Sequence, residues 1–136
     1  MKRIFAIIMV MVLALSLVAC GGSKQKDPPD LTGQWKQTNS NSSDSYQTAT
    51  ISGNTIEVYW YTASDQTSAL YWAGTFEAPT TADEPYTWDS VNDKEKTDYA
   101  MLASGDDTKT FTYKGGKISY SVSAMGVTTT VELEKQ

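Results

Sequence analysis

Apolar and polar residues alternate along much of the chain with a period of two, which is typical of β-strands that bury one face. Towards the carboxyl terminus, two such segments, 117–124 and 127–134, are separated by Met125-Gly126. Every second residue in them is apolar or threonine, and the residues between are serine, threonine, lysine or glutamate. The pattern predicts an antiparallel hairpin with one buried face and one solvated face.

Turn signals divide the rest of the domain into more segments of this kind. The glycines of Lys114-Gly115-Gly116-Lys117 and of Ile51-Ser52-Gly53-Asn54-Thr55-Ile56 can supply the positive φ angles of tight hairpins. The stretch 78–85 holds two prolines and no periodicity, which predicts a loop. Further strands are predicted at residues 33–38, 46–51, 55–62, 69–77, 86–91, 97–103 and 111–113. About eight or nine short strands without a convincing helix predict one all-β domain, a small antiparallel barrel or sandwich.

Two of these strands place aromatic residues on both faces. Alternation puts Trp60 on the same face as Ile56 and Val58. Tyr59 and Tyr61 fall on the opposite face. In the same way Tyr71 falls opposite Trp72. An exposed strip of Tyr59, Tyr61 and Tyr71 would bind glycan rings or a protein partner by stacking and burial. The alternative is that a second sheet covers these tyrosines, since alternation alone does not say which face is the core.

The longest apolar run lies near the amino terminus, where Lys2 and Arg3 precede an apolar stretch from Ile4 to Val18. This order of a charged and then an apolar region is typical of a secretory signal. The run is short for a membrane-spanning helix, which needs about 20 apolar residues. Its end, Leu17-Val18-Ala19-Cys20, has leucine where an ordinary secretory cleavage site prefers a small residue.

Leu17-Val18-Ala19-Cys20 resembles the lipobox of bacterial lipoproteins. The resemblance implies cleavage between Ala19 and Cys20, and a diacylglyceryl group on the Cys20 sulfur. Cys20 is the single cysteine of the chain, so no disulfide within the chain competes for it. The expected location is the extracytoplasmic face of the cell membrane, with the lipid as anchor and the membrane as the first partner.

The lipobox and the composition of the residues after it predict that the chain has three segments. Residues 1–19 form the signal peptide, residues 20–30 a flexible tether rich in glycine and proline, and residues 31–136 the all-β domain. Fully extended, the tether reaches at most roughly 30 Å. Its first residues are similar to those of Gram-positive lipoproteins, and sorting to an outer membrane stays open for a host with two membranes.

The charge of the mature chain argues against several partners. The full chain has 11 lysines and arginines, and removal of Lys2 and Arg3 leaves nine lysines against 16 acidic residues, a net charge of −7. No arginine and no histidine remain. This composition disfavours recognition of nucleic acid by a basic patch.

The absence of histidine and the commitment of the one cysteine also exclude several enzymes. A Ser-His-Asp or Cys-His nucleophile and a His/Cys zinc site cannot be assembled. A calcium loop at 89–95 lacks the residue order of an EF-hand and holds lysine. Carboxylates could still pair for glycoside hydrolysis, although most lie in polar turns. The candidates are Asp83, Glu84, Asp89, Asp93, Glu95, Asp98, Asp106 and Asp107. We predict no catalytic residue, metal or cofactor.

The domain opens with Leu31-Thr32-Gly33-Gln34-Trp35, whose Gly-x-Trp order resembles the first strand of lipocalins and similar small barrels. The resemblance implies that Trp35 plugs one end of a barrel that carries a small apolar ligand. In lipocalins this tryptophan commonly packs against an arginine from one of the last strands, and the mature chain has no arginine. A barrel or sandwich filled by its own side chains is the alternative, and in either case Trp35 is predicted to be a core residue.

Together these patterns favour a non-enzymatic binding or interaction module that is held at the membrane. Its expected partner is an envelope protein or a glycan. Two alternatives stay open: a lipocalin-like binder of a small ligand, and a prophage-encoded lipoprotein of the kind that blocks entry of a second phage.

Overall fold

The computed structural model describes residues 26–136, which form eight antiparallel strands in one sheet. The short helix α1 interrupts them between β5 and β6. The all-β prediction is therefore confirmed. The elements are β1 Gly33–Gln37, β2 Ser45–Ser52, β3 Thr55–Thr62, β4 Thr67–Thr75, β5 Tyr86–Val91, α1 Lys94–Thr97, β6 Thr108–Lys114, β7 Lys117–Ala124 and β8 Val127–Lys135.

The sheet curls into a nearly closed barrel rather than splitting into a sandwich. Its strand order is β4-β3-β2-β1-β8-β7-β6-β5, so the outermost strands are β4 and β5. These two meet through a bridge between Gly74 and Asn92 and through a hydrogen bond from Trp72 Nε1 to Ser90 Oγ of 3.0 Å. We call this β4–β5 contact the seam. The backbones of the two outermost strands therefore pair at one bridge, which leaves the barrel nearly closed.

Tight turns fix the register of the hairpins. Ser52 pairs with Thr55 across the β2–β3 turn, and Gly53 there has a φ of 55°. Gly115 and Gly116 turn β6 into β7 with φ angles of 59° and 80°. Only glycine adopts such angles without a steric cost. The hairpins predicted from these glycines are confirmed.

The strand predicted at residues 97–103 is wrong. The helix α1 ends at Thr97, and residues 98–103 form an irregular loop. The Asp93 side chain accepts a hydrogen bond from Glu95 N at the start of α1, which stabilises a helix rather than a strand. The loop then returns to the sheet, where Ser104 N donates to Tyr71 O of β4.

Large side chains fill the middle of the barrel. Trp88 stacks on Phe111 with ring centroids 5.2 Å apart, and the Phe111 ring lies 4.9 Å from Tyr120. Tyr120 on β7 donates a hydrogen bond to the Gln47 side chain on β2, which lies across the barrel. The interior at this level is therefore occupied by side chains, as in small barrels in general.

The two ends of the barrel differ in what they carry. At the end we call the bottom lie the start of β1, the end of β8 and the β2–β3 and β6–β7 turns. Trp35 is 2% exposed near this end and donates from Nε1 to Leu31 O, so it is a core residue as predicted. Lys135 Nζ donates to Asp30 O and holds the entering chain there. The opposite end, the top, carries the β1–β2, β3–β4 and β7–β8 connections and the loop after α1.

Candidate functional site

Three tyrosines share the outer face of β2 and β3. The register places Tyr46 opposite Tyr61, and Tyr59 lies two residues along β3 opposite Thr48. The Tyr46 and Tyr61 ring centroids are 5.3 Å apart, and all three side chains are half-buried. Tyr59 and Tyr61 thus face outward together, as alternation predicts. We call Tyr46, Tyr59 and Tyr61 the tyrosine face.

Tyr71 does not belong to this face, and its predicted position is wrong. The β3–β4 register shifts between Val58 and Tyr59, which pair with Trp72 and Leu70, so Tyr71 is an extra residue at a β-bulge. A bulge reverses the alternation of the residues beyond it. Both Tyr71 and Trp72 consequently point inward, and Tyr71 is 5% exposed.

Tyr71 is instead part of a buried cluster. Its ring packs edge-on against Trp60 at 5.4 Å, and Lys109 Nζ lies 5.2 Å from its ring centroid. Burial, and secondarily the Asp106 charge, raises the pKa of Tyr71 to about 12. Burial also lowers the pKa of Lys109, whose ammonium donates to Ser121 O at 3.1 Å. These contacts join β4, β6 and β7, which is a structural role.

Tyr46 takes the place that Tyr71 was expected to fill. Sequence reasoning placed Tyr46 on a strand but did not connect it with Tyr61. The signal was present in the tight β2–β3 turn, because a two-residue turn between Ser52 and Thr55 sets every later pair, including Tyr46 with Tyr61. The missed contact is therefore one that the turn length alone can predict.

A chain of hydrogen bonds fixes Tyr59. Its hydroxyl donates to Glu57 Oε2 at 2.7 Å, and Lys96 Nζ of α1 donates to Glu57 Oε1 at 2.7 Å. The Lys96 and Tyr59 hydrogen bonds hold the pKa of Glu57 below its usual value. The bond to the Glu57 carboxylate, together with burial, raises the pKa of Tyr59 to about 12. Glu57 therefore orients the Tyr59 ring and also ties α1 to β3.

A groove of about 470 Å³ runs beside the tyrosines and is open to solvent. Lys36 Nζ lies 4.5 Å from the Tyr46 ring centroid at its margin, a cation–π contact. The other polar side chains along the groove end in neutral hydroxyls and amides. They belong to Gln34, Thr48, Thr50, Ser68 and Gln136. The groove thus combines flat aromatic surfaces with neutral donors and acceptors, which suits a ligand that is apolar on its faces and polar at its edges.

Several of the carboxylates that are candidates for catalysis or calcium binding have local hydrogen-bond partners. Asp89 Oδ1 accepts from Thr110 Oγ1 at 2.6 Å, Asp93 caps α1, and Asp106 Oδ2 accepts from Ser104 Oγ. Within residues 26–136, no group of three or more histidine, cysteine, aspartate or glutamate side chains is placed to hold a metal ion.

The predicted lipobox Leu17-Val18-Ala19-Cys20, with its cleavage site between Ala19 and Cys20, lies outside the described residues. In the described part of the chain, no helix has the length and apolar character needed to cross a membrane.

Comparisons with family models, with curated proteins and with solved structures find no match for this chain. Function is therefore inferred from the residues themselves.

Proposed function

We propose that this protein is a lipid-anchored lipoprotein of the extracytoplasmic membrane face, a non-enzymatic module that binds glycans of the cell envelope. The observation that carries the glycan assignment is the tyrosine face, with Tyr46 and Tyr61 in contact at 5.3 Å and Tyr59 beside them along an open groove. Sugar rings have apolar faces and polar edges, and tyrosine rings bind such faces at a low cost in conformational entropy.

The small number of charged side chains along the groove suits a glycan whose polar groups are neutral hydroxyls and amides. The Glu57 charge is met by Lys96, and Lys36 lies against the Tyr46 ring. Threonine, serine and glutamine supply the remaining polar groups. A protein partner is the other class that an aromatic surface can bind, and it would need a larger continuous contact of roughly 800 Å² on each side.

The anchor follows from the resemblance of Leu17-Val18-Ala19-Cys20 to a lipobox. Two acyl chains on Cys20 give stable attachment, because a single chain holds a protein only weakly. The described chain enters the barrel at the bottom, where Asp30 is held by Lys135. A tether from Cys20 would therefore leave the tyrosine face on the side of the barrel, accessible to wall polymers.

The glycan assignment is tested with the full chain purified in detergent, with peptidoglycan sacculi and an array of neutral oligosaccharides as probes. Tyr61→Ala and Tyr46→Ala should each weaken binding about tenfold or more, the loss expected when an anchoring aromatic residue is removed. Tyr99→Ala is the matched control, since Tyr99 is 88% exposed but lies outside the groove. Absence of binding to every probe, or equal losses in the control, would contradict the glycan assignment.

The anchor is tested separately by Cys20→Ser. We expect the variant to remain an unprocessed precursor or to be released from membranes, whereas the wild-type chain fractionates with them as a lipidated species. A variant that is processed normally and stays in the membrane fraction would overturn the anchor while leaving the glycan assignment intact.

A further inference from the structure

Strand β1 stops short of its neighbours at the top of the barrel. Its last pair with β8 joins Gln37 to Leu133, while β8 begins six residues earlier along its own chain, at Val127. The upper part of β8, residues 127–130, is exposed and pairs only with β7. A slot of about 320 Å³ lies where a longer β1 would run, with Trp60 and Val131 among the residues that line it.

The backbone of upper β8 directs hydrogen-bonding groups into this slot. Thr38 N donates to Glu132 O, Asn39 Nδ2 donates to Thr130 O, and Glu132 N donates to Asn39 Oδ1. The backbone N–H and C=O groups of the even-numbered residues of β8 therefore point to the β1 side. Because this direction alternates along an antiparallel strand, the N–H and C=O of Thr128 also point to the β1 side, at a level where β1 has already ended. Beyond the end of β1, the Asn39 side chain continues the hydrogen bonding to β8, but only as far as Thr130.

Upper β8 lacks the features that normally protect an edge strand. Lysine, proline and bulges are the usual means of preventing edge-to-edge pairing. The segment 118–131 contains no charged residue and no proline. Val127 is 63% exposed and Met125, at the tip of the hairpin, is fully exposed. Residues 127–131 are all valine or threonine, which favour strands.

The residues that line the slot indicate which strand would fit it. None of them carries a charge, although the chain as a whole is strongly acidic. An uncharged, β-branched strand is the complement, and residues 127–131 of this chain are such a strand. A two-fold axis through Thr128 would pair it with Thr128 of a second copy and would bring Val127 opposite Thr129. A surface that matches itself in this way is the requirement for a symmetric dimer.

We propose that two copies of this protein pair through the upper edges of β8, so that each supplies the strand missing beside β8 of the other. The contact lies at the top of the barrel, away from the bottom where the chain enters. The slot shares Tyr46 with the tyrosine face, but the pairing itself uses the backbone of β8 and not the tyrosine rings.

The test uses the full chain in membranes with Thr128→Cys and a mild oxidant. A self-paired residue in an antiparallel ladder places its two Cα atoms about 5.5 Å apart, which is within the range of a disulfide. We expect at least tenfold more disulfide-linked dimer than with Thr87→Cys, which alters an exposed threonine of β5 and leaves Cys20 unchanged.

A second variant, Thr128→Pro, removes the N–H that faces the slot and leaves the ladder with β7 in place. Sedimentation of the purified full chain should show a dimer for the wild type and at least a tenfold higher dissociation constant for the variant, with an unchanged circular dichroism spectrum. A monomeric wild type, equal cross-linking of the two cysteine variants, or cross-linking of Thr128→Cys to a different protein would each overturn the proposal.

Discussion

The seam between β4 and β5 and the tyrosine face are both built on neighbouring strands, yet they tolerate change very differently. At the seam, Gly74, Trp72 and Ser90 are buried and leave no free space between the strands. The tyrosine face is half-exposed, and its rings pack beside an open groove. Closure of the barrel therefore depends on a close fit of a few atoms, whereas we expect substitutions on the half-exposed tyrosine face to cost the fold less.

The largest expected effect comes from a side chain added at the seam. In Gly74→Ala the new Cβ would lie 2.3 Å from Ser90 Oγ and 2.6 Å from Val91 O. Because one of these atoms is backbone, the strands must separate. We expect a loss of about 3 kcal/mol of unfolding free energy, at the upper end of what overpacking costs. Urea unfolding followed by tryptophan fluorescence measures it.

Gly105→Ala is the matched control, since a Cβ at Gly105 meets no atom within 4 Å and its φ is not positive. Its unfolding free energy should change by less than about 0.5 kcal/mol, as is usual for surface substitutions. If the two alanine variants were equally stable, the description of the seam as a close contact would be wrong.

A smaller loss should follow from removal of a hydrogen bond at the seam without added volume. Ser90→Ala leaves the indole N–H of Trp72 without its partner, and both residues are fully buried. An unsatisfied buried donor costs about 1 to 2 kcal/mol. Ser121→Ala, at an exposed serine of β7, should have no comparable effect. Equal unfolding midpoints for the two variants would show that the indole finds another partner.

Local features of the fold were predictable from sequence. The hairpins could be predicted because the glycines at 53, 115 and 116 mark turns and alternation fixes the faces of each strand. The inward position of Tyr71 was not predictable, because the bulge beside it shifts the β3–β4 register and leaves no mark in the alternation pattern. Alternation assumes an uninterrupted strand and fails beyond a bulge.

The short helix α1 illustrates a second limit. Its four residues are too few to give a helical period, so residues 92–96 are only a charged gap between the strands predicted at 86–91 and 97–103. It is held to the sheet by Asp93 N, which donates to Ala73 O of β4, and by the contact of Lys96 with Glu57, which joins positions 39 residues apart. Of the tyrosine face, alternation predicted Tyr59 and Tyr61, but the hydrogen bond that orients Tyr59 depends on this distant lysine and could not be read from local pattern.

The smallest expected effect lies on the tyrosine face and concerns Glu57→Gln. A neutral amide accepts a weaker hydrogen bond than a carboxylate and brings no charge, so the pKa of Tyr59 should fall from about 12 towards its ordinary value near 10. Tyrosine ring NMR signals followed against pH measure this change. Glu95→Gln, on α1 and without a contact to Tyr59, should leave the pKa of Tyr59 in place.

The shifted pKa values of Glu57 and Tyr59 affect stability at opposite ends of the pH scale. The lowered pKa of Glu57 means that its bonds stabilise the fold at neutral pH and cease to do so as the pH falls through that pKa. The raised pKa of Tyr59 means that its contribution is present below pH 10 and is lost as the pH rises through about 12. The stability difference between the wild type and Glu57→Gln should therefore disappear at both extremes. The loss caused by Gly74→Ala is steric and should persist across the whole range in which the protein folds, so a Gly74→Ala deficit that followed the same pH profile would show that the seam and the face are not independent.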